Sequence, residues 1–387
     1  MSASKLKIGV VCYPTYGGSG VVATELGKSL AEHGHKIHFI AYNQPVRLPH
    51  FAENIFFHEI RFANYPLFEF PPYENALVSR LVDVVLHQKL DLLHVHYAIP
   101  HASAAYMARC ILRDRGIHIP VITTLHGTDI TLVGKDPTFA PVVAFSINQS
   151  DGVTCVSQNL RKQTYEHFEW VKKDIEVIPN FVDLKRFRRT NQQHFRHAVA
   201  PHNEAILVHT SNFRRVKRIE DVVRIFAAVR EKKPAKLLLI GDGPERAKAE
   251  QVCREMDLCN DIRFLGKQDA IGELLSISDI FLMPSESESF GLAALEAMAC
   301  GVPVVSSDAD GIPEVNIHGQ TGFLSKVGMV QEMADNALQI LSSPEILETF
   351  RQNALTQAHR FDVKNIMPLY ENYYHQVLET SKRHTYT

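Results

Sequence analysis

One segment of the chain combines two glutamates with residues that can begin a helix, and carboxylates and free helix N–H groups can bind a ligand. The string "SESESFGLAALEAMACGVPVV" contains Glu288 and Glu296, and Ser289 or Glu288 is placed to cap a helix that Gly301 ends. N–H groups in the first turn of a helix lack intrahelical acceptors and readily bind a diphosphate. Eight residues of helix rise about 12 Å, the span of a nucleotide sugar, so one carboxylate would face a sugar and the other a ribose. The predicted first-turn donors are the amides of Phe290, Gly291 and Leu292.

A basic loop lies earlier in the same half of the chain. The string "SNFRRVKRIEDVV" carries four basic residues between a predicted strand and a predicted helix: Arg214, Arg215, Lys217 and Arg218. A solvated basic turn is one interpretation. We favour a diphosphate clamp, because cations held at such a turn would neutralise the charge that builds up on a leaving nucleotide.

A histidine follows a predicted strand in the first half of the chain. In "TTLHGTD", His126 comes directly after the strand, and Asp129 could orient it or cap the next helix. A lone histidine is more often structural than functional. Its place at the end of a strand nevertheless makes it a candidate for the rim of a ligand site.

A glycine-rich turn joins the first predicted strand to the first predicted helix. The string "PTYGGSG" fits the pattern G-x-G-x-x-A at Gly18, Gly20 and Ala23. A dinucleotide site would also need an acidic residue about 20 positions further on. The second predicted strand instead ends in "IAYNQ", without a carboxylate. We therefore expect a helix N-terminus that binds an anion, rather than a site for NAD.

Two further patterns resemble metal sites. His94 and His96 share one face of a predicted strand, with His101 close behind, but no carboxylate stands at a convincing spacing. Asp308 and Asp310 form a D-x-D pair after a late strand. We expect structural roles for the histidines, a turn for the aspartates, and no metal ion.

These residues belong to a chain that alternates short apolar runs with amphipathic stretches, which predicts βαβ units and parallel sheets. The alternation starts again after a polar, basic stretch near "RFRRTNQQHFRH". We expect α/β architecture with two Rossmann-like, doubly wound domains facing a cleft, comprising residues 1–180 and 181–364. A final helix over 365–387 is expected to pack back on the first domain.

The composition excludes several classes of protein. The 387 residues carry 41 Lys and Arg against 43 Asp and Glu, a balance that argues against binding nucleic acid or a membrane surface. The six cysteines are scattered without a C-x-x-C pair, which is typical of reduced thiols. The start of the chain lacks a long apolar region, so we expect no secretory signal and a cytoplasmic protein.

The "SESESFGLAALE" segment resembles the signature of the retaining GT-B-fold glycosyltransferases. "LLLIGDGPE", "IRFLGKQD", "SSDADGIPEV" and "GQTGFL" resemble other segments of this family and occur in the family's order, so the resemblance covers essentially the whole chain. It implies a nucleotide-sugar donor held by the second domain and no metal cofactor. A homodimer or a higher oligomer is also implied.

The resemblance assigns roles on the donor side. Glu288 would bind sugar hydroxyls, and Lys217 would stabilise the leaving phosphate. Asn212 stands where the family often has an arginine, so Arg214 is expected to do that work. His126 would contact the donor sugar. The other donor-binding positions are Gly18, Asn180, Ser289, Phe290, Gly291, Leu292 and Glu296.

The amino-terminal motifs narrow the resemblance to the branch of the family that transfers GlcNAc from UDP-GlcNAc to L-malate, the first step of bacillithiol biosynthesis. They include "CYPTYGGSGVVATELG", "PPYENAL", "HVHYAIPHA" and "TTLHGTDIT". A small dicarboxylate needs cations and hydrogen-bond donors, and an arginine binds a carboxylate bidentately. The expected acceptor-binding residues are Ser19, Gly20, Arg47, Tyr97 and Thr124.

Alternative functions remain open at this stage. A sibling transferase could use inositol phosphate or a lipid, but the first-domain loops hold mainly Arg47 as a cation. A non-catalytic protein that binds nucleotide sugars is another alternative, against which the intact Glu288, Lys217 and His126 count. Retention could arise by double displacement through Glu288. We favour transfer on one face, with the departing phosphate taking the acceptor's proton.

Overall fold

The computed structural model describes residues 5–49, 51–62 and 72–385. Contacts divide the chain into two units of similar size. The first comprises Met1–Pro179 and Ile366–Thr387, and the second comprises Asn180–Asn365.

The first unit is built on a seven-stranded parallel sheet. Its strands are β1 (Lys7–Val11), β2 (Lys36–Ala41), β3 (Ile55–Glu59), β4 (Leu92–His96), β5 (Val121–Leu125), β6 (Gly152–Cys155) and β7 (Glu176–Val177). Their spatial order is β3-β2-β1-β4-β5-β6-β7. The order reverses at β1, as in a doubly wound sheet, and ligands bind at such a reversal, beyond the carboxyl ends of the strands.

Helices cover this sheet because each connection between parallel strands must cross over it. They are α1 (Gly18–Glu32), α2 (Tyr73–Gln88), α3 (Ser103–Arg113), α4 (Ala140–Gln149) and α5 (Gln158–His167). The face of α2 that carries Leu77, Leu81 and Val85 is buried in a core that also contains Val95 of β4. The spacing of these α2 residues places them on one helix stripe.

The second unit repeats the architecture with six parallel strands. They are β8 (Ala205–Ser211), β9 (Ala235–Gly241), β10 (Ile262–Gly266), β11 (Ile280–Met283), β12 (Val304–Ser307) and β13 (Gly322–Ser325). Their order, β10-β9-β8-β11-β12-β13, reverses at β8. The carboxyl ends of β8 and β11 therefore lie side by side, and the loops that follow them are the basic loop and the glutamate segment.

Helices also connect the strands of the second unit. They are α6 (Gln193–Val199), α7 (Ile219–Lys232), α8 (Arg246–Glu255), α9 (Ile271–Ser276), α10 (Leu292–Ala299), α11 (Ile312–Val315), α12 (Val330–Ile340) and α13 (Pro344–Arg360). In α7, Val222, Phe226 and Val229 are fully buried in the core of this unit. The expected fold class, two Rossmann-like α/β domains, is confirmed.

The last helix, α14 (Val363–Thr385), belongs mostly to the first unit. Tyr374 and His94 of β4 are hydrogen-bonded over 2.8 Å, and Tyr373 donates to the carbonyl oxygen of Val153 in β6. Across the described residues, no helix has the length and apolar character needed to cross a bilayer.

Candidate active site

Lys217 and Glu288 form an ion pair in the second unit. Both side chains are 18% exposed, so the pair lies at the surface of the loops with part of its hydration removed. Lys217 closes a short helical turn after β8, and Glu288 lies in the loop after β11. The reversal of strand order at β8 is what brings together residues that are 71 positions apart.

Backbone contacts fix the loop that carries Glu288. The N–H of Glu286 donates to the carbonyl oxygen of Val216 over 2.7 Å, which ties this loop to the basic loop. The N–H of Glu288 donates to the Asp310 carboxylate over 3.1 Å, and its carbonyl oxygen accepts from the N–H of Gly311 over 2.9 Å. Asp310, expected to form a turn, thus holds the main chain of Glu288, a role that the sequence did not reveal.

The helix after Glu288 starts differently from the expectation. Gly291, with a φ of 94°, is the N-cap of α10, and no side chain caps this helix. The prediction that Ser289 or Glu288 caps it is therefore wrong, because the chain turns through a left-handed glycine instead. Glu288 also lies outside the helix, so its distance from Glu296 is not set by helical rise. The amide of Leu292 does lie in the first turn, as expected.

The remaining donor-side residues have distinct environments. The Phe290 side chain is buried and packs edge-on against Phe361, so only its main chain can face a ligand. Glu296 is buried within α10, whereas Arg214 is exposed at the start of the basic loop. Ser289 is half-buried between Glu288 and Phe290.

Two predicted donor residues have buried, unpaired amide oxygens. The Oδ1 atoms of Asn180 and Asn212 have no hydrogen-bond partner among the described residues. Buried polar atoms are nearly always bonded in folded proteins, so orphaned ones need an explanation such as a bound ligand. The Asn212 position, where the family often has an arginine, is thus occupied by a polar group that has bonding capacity left.

In the first unit, the glycine-rich turn forms the start of α1 as expected. Gly18, Ser19 and Gly20 are the first three residues of the helix, after an N-cap at Gly17. The Tyr97 hydroxyl donates to the Ser19 Oγ over 2.8 Å. Two residues predicted to bind the acceptor therefore meet, because β1 and β4 are neighbours in the sheet.

Arg47 lies beside the same helix. Its Nη1 is 3.9 Å from the Glu25 carboxylate in α1, and its side chain is 12% exposed. Arg47 and Tyr97 have φ values of 67° and 87°. Residues other than glycine rarely adopt positive φ values, and such strained positions cluster at functional sites. Glu25 was not predicted, since nothing in its sequence context distinguishes it from a surface helix residue.

The hydroxyl of Thr124 points to the interior. It bonds to His94 Nε2 over 2.7 Å and to the Thr154 hydroxyl over 2.6 Å, and the side chain is fully buried. Both of these hydrogen bonds are internal, and they hold the hydroxyl away from solvent. The expected contact of Thr124 with the acceptor substrate therefore remains a prediction.

His126 is buried beside a second histidine. Its Nε2 lies 2.8 Å from His96 Nδ1, and burial lowers the pKa of His126 to about 3, so the ring is neutral. Asp129 does not bond to this ring. Its carboxylate accepts from the N–H groups of Gly127 over 3.0 Å and Ala98 over 3.1 Å, and more weakly from that of His126. Asp129 thus orients the main chain that carries His126.

Residues of the two metal-like patterns form hydrogen bonds or ion pairs with other residues of the chain. His101 Nδ1 donates to the carbonyl oxygen of His96, and His101 Nε2 accepts from the Tyr73 hydroxyl over 3.1 Å. Asp308 pairs with Lys326. In the part of the chain that the structure describes, no three or more His, Cys, Asp or Glu side chains are grouped so as to hold a metal ion.

Comparison with known proteins matches each half of the chain to a glycosyltransferase family model. Residues 16–186 match the family model described as Glycosyltransferase Family 4, and residues 190–357 match that described as Glycosyl transferases group 1. The N-acetyl-alpha-D-glucosaminyl L-malate synthase of Bacillus anthracis is 47% identical over 380 residues, covering 98% of this chain and 99% of the relative. This chain belongs to the same glycosyltransferase family.

Three glycosyltransferases of lower identity also match this chain. A D-inositol 3-phosphate glycosyltransferase of Saccharomonospora viridis is 29% identical over 201 residues, 48% of this chain and 46% of the relative. Sucrose-phosphate synthase from Thermosynechococcus elongatus has a TM-score of 0.78 at 22% identity, covering 97% of this chain and all of that one. HepE of Anabaena, solved with UDP and glucose, has a TM-score of 0.77 at 21% identity, covering 95% and 98%. At this identity, the likeness to the solved structures shows the GT-B fold of these glycosyltransferases.

Proposed function

We propose that this glycosyltransferase transfers GlcNAc from UDP-GlcNAc to the hydroxyl of L-malate, with retention at the anomeric carbon. The observation that carries the proposal is the 47% identity, over nearly the full length of both chains, to the synthase of Bacillus anthracis. The pairing of Tyr97 with Ser19 at the start of α1, with Arg47 beside that helix, supports a small anionic acceptor.

The second unit would hold the donor. Lys217 and the amides of Gly291 and Leu292 would bind the diphosphate, because these groups place a cation and a helix N-terminus near the same loop. Arg214 is exposed and can add a second cation. The unpaired oxygens of Asn180 and Asn212 would accept hydrogen bonds from hydroxyl or amide groups of the donor.

The remaining roles follow the same division. Glu288, held by Lys217 and Asp310, would bind sugar hydroxyls, and Glu296 would face the ribose. His126 and Gly18 would contact the sugar and its phosphate, while Ser19, Gly20, Arg47, Tyr97 and Thr124 would contact L-malate. Ser289, Phe290 and Leu292 would contribute main-chain groups.

For the chemistry, we propose substitution on one face of the sugar. The bond from the anomeric carbon to the β-phosphate oxygen breaks, and the malate hydroxyl attacks from the side on which UDP leaves. The departing phosphate takes the hydroxyl proton, and Lys217 stabilises its charge. Glu288 is already paired with Lys217, which favours sugar binding over nucleophilic attack for this carboxylate. No metal ion takes part in these steps.

The test is an assay of the purified chain with UDP-GlcNAc and L-malate in the presence of a metal chelator. We expect UDP release and a product with the mass of GlcNAc-malate, in the α configuration by NMR. The Lys217→Met variant is the inactive control. Transfer to inositol phosphate but not to malate would overturn the acceptor and leave the family assignment intact. We further propose a cytoplasmic setting, based on the scattered cysteines; the homodimer or higher oligomer remains a prediction.

A further inference from the structure

His96 and His126 form a hydrogen bond between two imidazole rings. His96 is the last residue of β4, and it pairs in register with Thr124 of the neighbouring β5, two residues before His126. His96 Nδ1 lies 2.8 Å from His126 Nε2, and the ring centroids are 5.1 Å apart. One of these nitrogens must carry a proton and the other must be bare.

Both rings are neutral. Each is buried, and burial lowers the pKa of His126 to about 3 and that of His96 well below its ordinary value. The neighbouring imidazoles of His94 and His101 lower the pKa of His96 further, since another positive charge there would be repelled. Each ring therefore carries one proton, and the shared hydrogen bond couples the two tautomers.

The second nitrogen of His96 decides between the two arrangements. Its Nε2 is buried and has no hydrogen-bond partner in the described part of the chain. If His96 carried its proton there, a buried N–H would be orphaned, which is rarer in proteins than a buried acceptor without a donor. The proton of His96 therefore belongs on Nδ1, where it is donated to His126 Nε2.

This arrangement fixes the state of His126. Because its Nε2 accepts, the proton of the neutral His126 ring must be on Nδ1. Among the described residues, none is hydrogen-bonded to that nitrogen, and His126 as a whole residue is 9% exposed. The main chain of His126 is held separately by Asp129. Asp129, which belongs to the same sequence motif, orients the backbone, and His96, which lies outside that motif, orients the ring.

We propose that His96 is a positioning residue that holds His126 in the tautomer protonated at Nδ1, so that His126 donates a hydrogen bond to a hydroxyl oxygen of the donor sugar. The functional half of this inference rests on the proposed function. The tautomer itself is a property of the unliganded chain and can be tested without any substrate.

The first experiment measures the tautomer. Long-range ¹H–¹⁵N correlation spectra of the full chain labelled at histidine distinguish protonated from bare ring nitrogens, and the His126→Asn variant identifies the His126 signals. We expect His126 to be protonated at Nδ1 and bare at Nε2. A proton on Nε2 would overturn the proposal, whatever the chain does with UDP-GlcNAc.

The second experiment compares substitutions at His96. Asparagine can donate through its amide in place of Nδ1, whereas phenylalanine cannot donate at all. We expect His96→Phe to lower kcat about tenfold, the effect of losing one hydrogen bond, and His96→Asn to restore most of it. His38→Phe is the matched control: His38 is a buried histidine on β2 of the same sheet, stacked on Phe56 at 4.7 Å.

The outcomes separate the two proposals. If kcat falls equally in His96→Phe and His96→Asn, or falls as much in His38→Phe, then His96 only contributes packing. Either result would overturn the inference. If His96→Phe does not fold, the tautomer measured in the unaltered chain still decides. If the tautomer is as expected but no GlcNAc reaches malate, the proposed acceptor fails and the positioning of His126 stands.

Discussion

Two glycines at the start of α1, Gly18 and Gly20, can each be replaced by alanine, which adds one methyl group. Comparing the two variants separates an effect on ligand binding from an effect on folding. A Cβ atom added at Gly20 would lie 2.5 Å from the carbonyl oxygen of Tyr13 and 2.6 Å from that of Thr15. A Cβ atom added at Gly18 would meet nothing within 4 Å. The fold therefore requires glycine at position 20 but not at position 18.

The Gly20→Ala substitution must displace backbone, and overpacking of this kind costs about 1–3 kcal/mol. Each kcal/mol lowers the Tm of a domain of this size by about 2–4 °C, so we expect a loss of several degrees. Gly18→Ala should leave stability unchanged or raise it by up to about 1 kcal/mol, since alanine loses less conformational freedom than glycine in a helix.

The effect on the donor should be the reverse. If the sugar and phosphate approach the main chain at Gly18, the added methyl group occupies their space. A cost of about 1.4 kcal/mol raises the KM for UDP-GlcNAc about tenfold. Initial rates of UDP release measure this KM, and thermal unfolding measures Tm. A Gly18→Ala variant with both quantities unchanged would show that the donor does not approach Gly18, and a Tm loss equal to that of Gly20→Ala would refute the open space at position 18.

Two further predictions concern the first unit. Arg47→Ala should raise the KM for L-malate about 10- to 100-fold, because a charge-assisted hydrogen bond contributes about 1.5–3 kcal/mol, while the KM for UDP-GlcNAc changes little. The control is Arg61→Ala, which removes an exposed ion pair with Glu59. Equal rises in KM for both substrates in Arg47→Ala would reject the assignment of Arg47 to the acceptor. Stability should fall on acidification from about pH 6.5 to pH 4, because burial lowers the pKa of His94 and His126 to about 3, so the unfolded chain binds more protons in this window. Burial raises the pKa of Asp129 to about 6, which favours the folded state on acidification, but this is one group against two histidines. A Tm that is the same at pH 5 and pH 7 would contradict the burial of these histidines.

Local patterns predicted most of the elements. The apolar run "KIGVVC" predicts the first strand, and β1 contains it without the final cysteine; the run "AILVHTS" forms β8 in full, and the glycine-rich turn forms the start of α1. These features depend on side-chain periodicity and on turn chemistry, which are properties of neighbouring residues. The start of α10 was predicted wrongly because a left-handed glycine and a side-chain cap are alternative ways to begin a helix, and the sequence here contains residues for both.

The sequence by itself determined the fold class and the set of candidate residues, while the anion-binding character of the loops after the strands stays a prediction. Only the tertiary structure decided which of them meet. Strand order places Lys217 against Glu288, Tyr97 against Ser19, and His96 against His126. The packing of α14 on the first sheet brings Tyr374 to His94 across 280 positions of chain. Such pairs depend on the order of strands and the packing of helices that are distant in sequence, and the energy that selects this arrangement is spread over the whole core rather than encoded near the residues it joins.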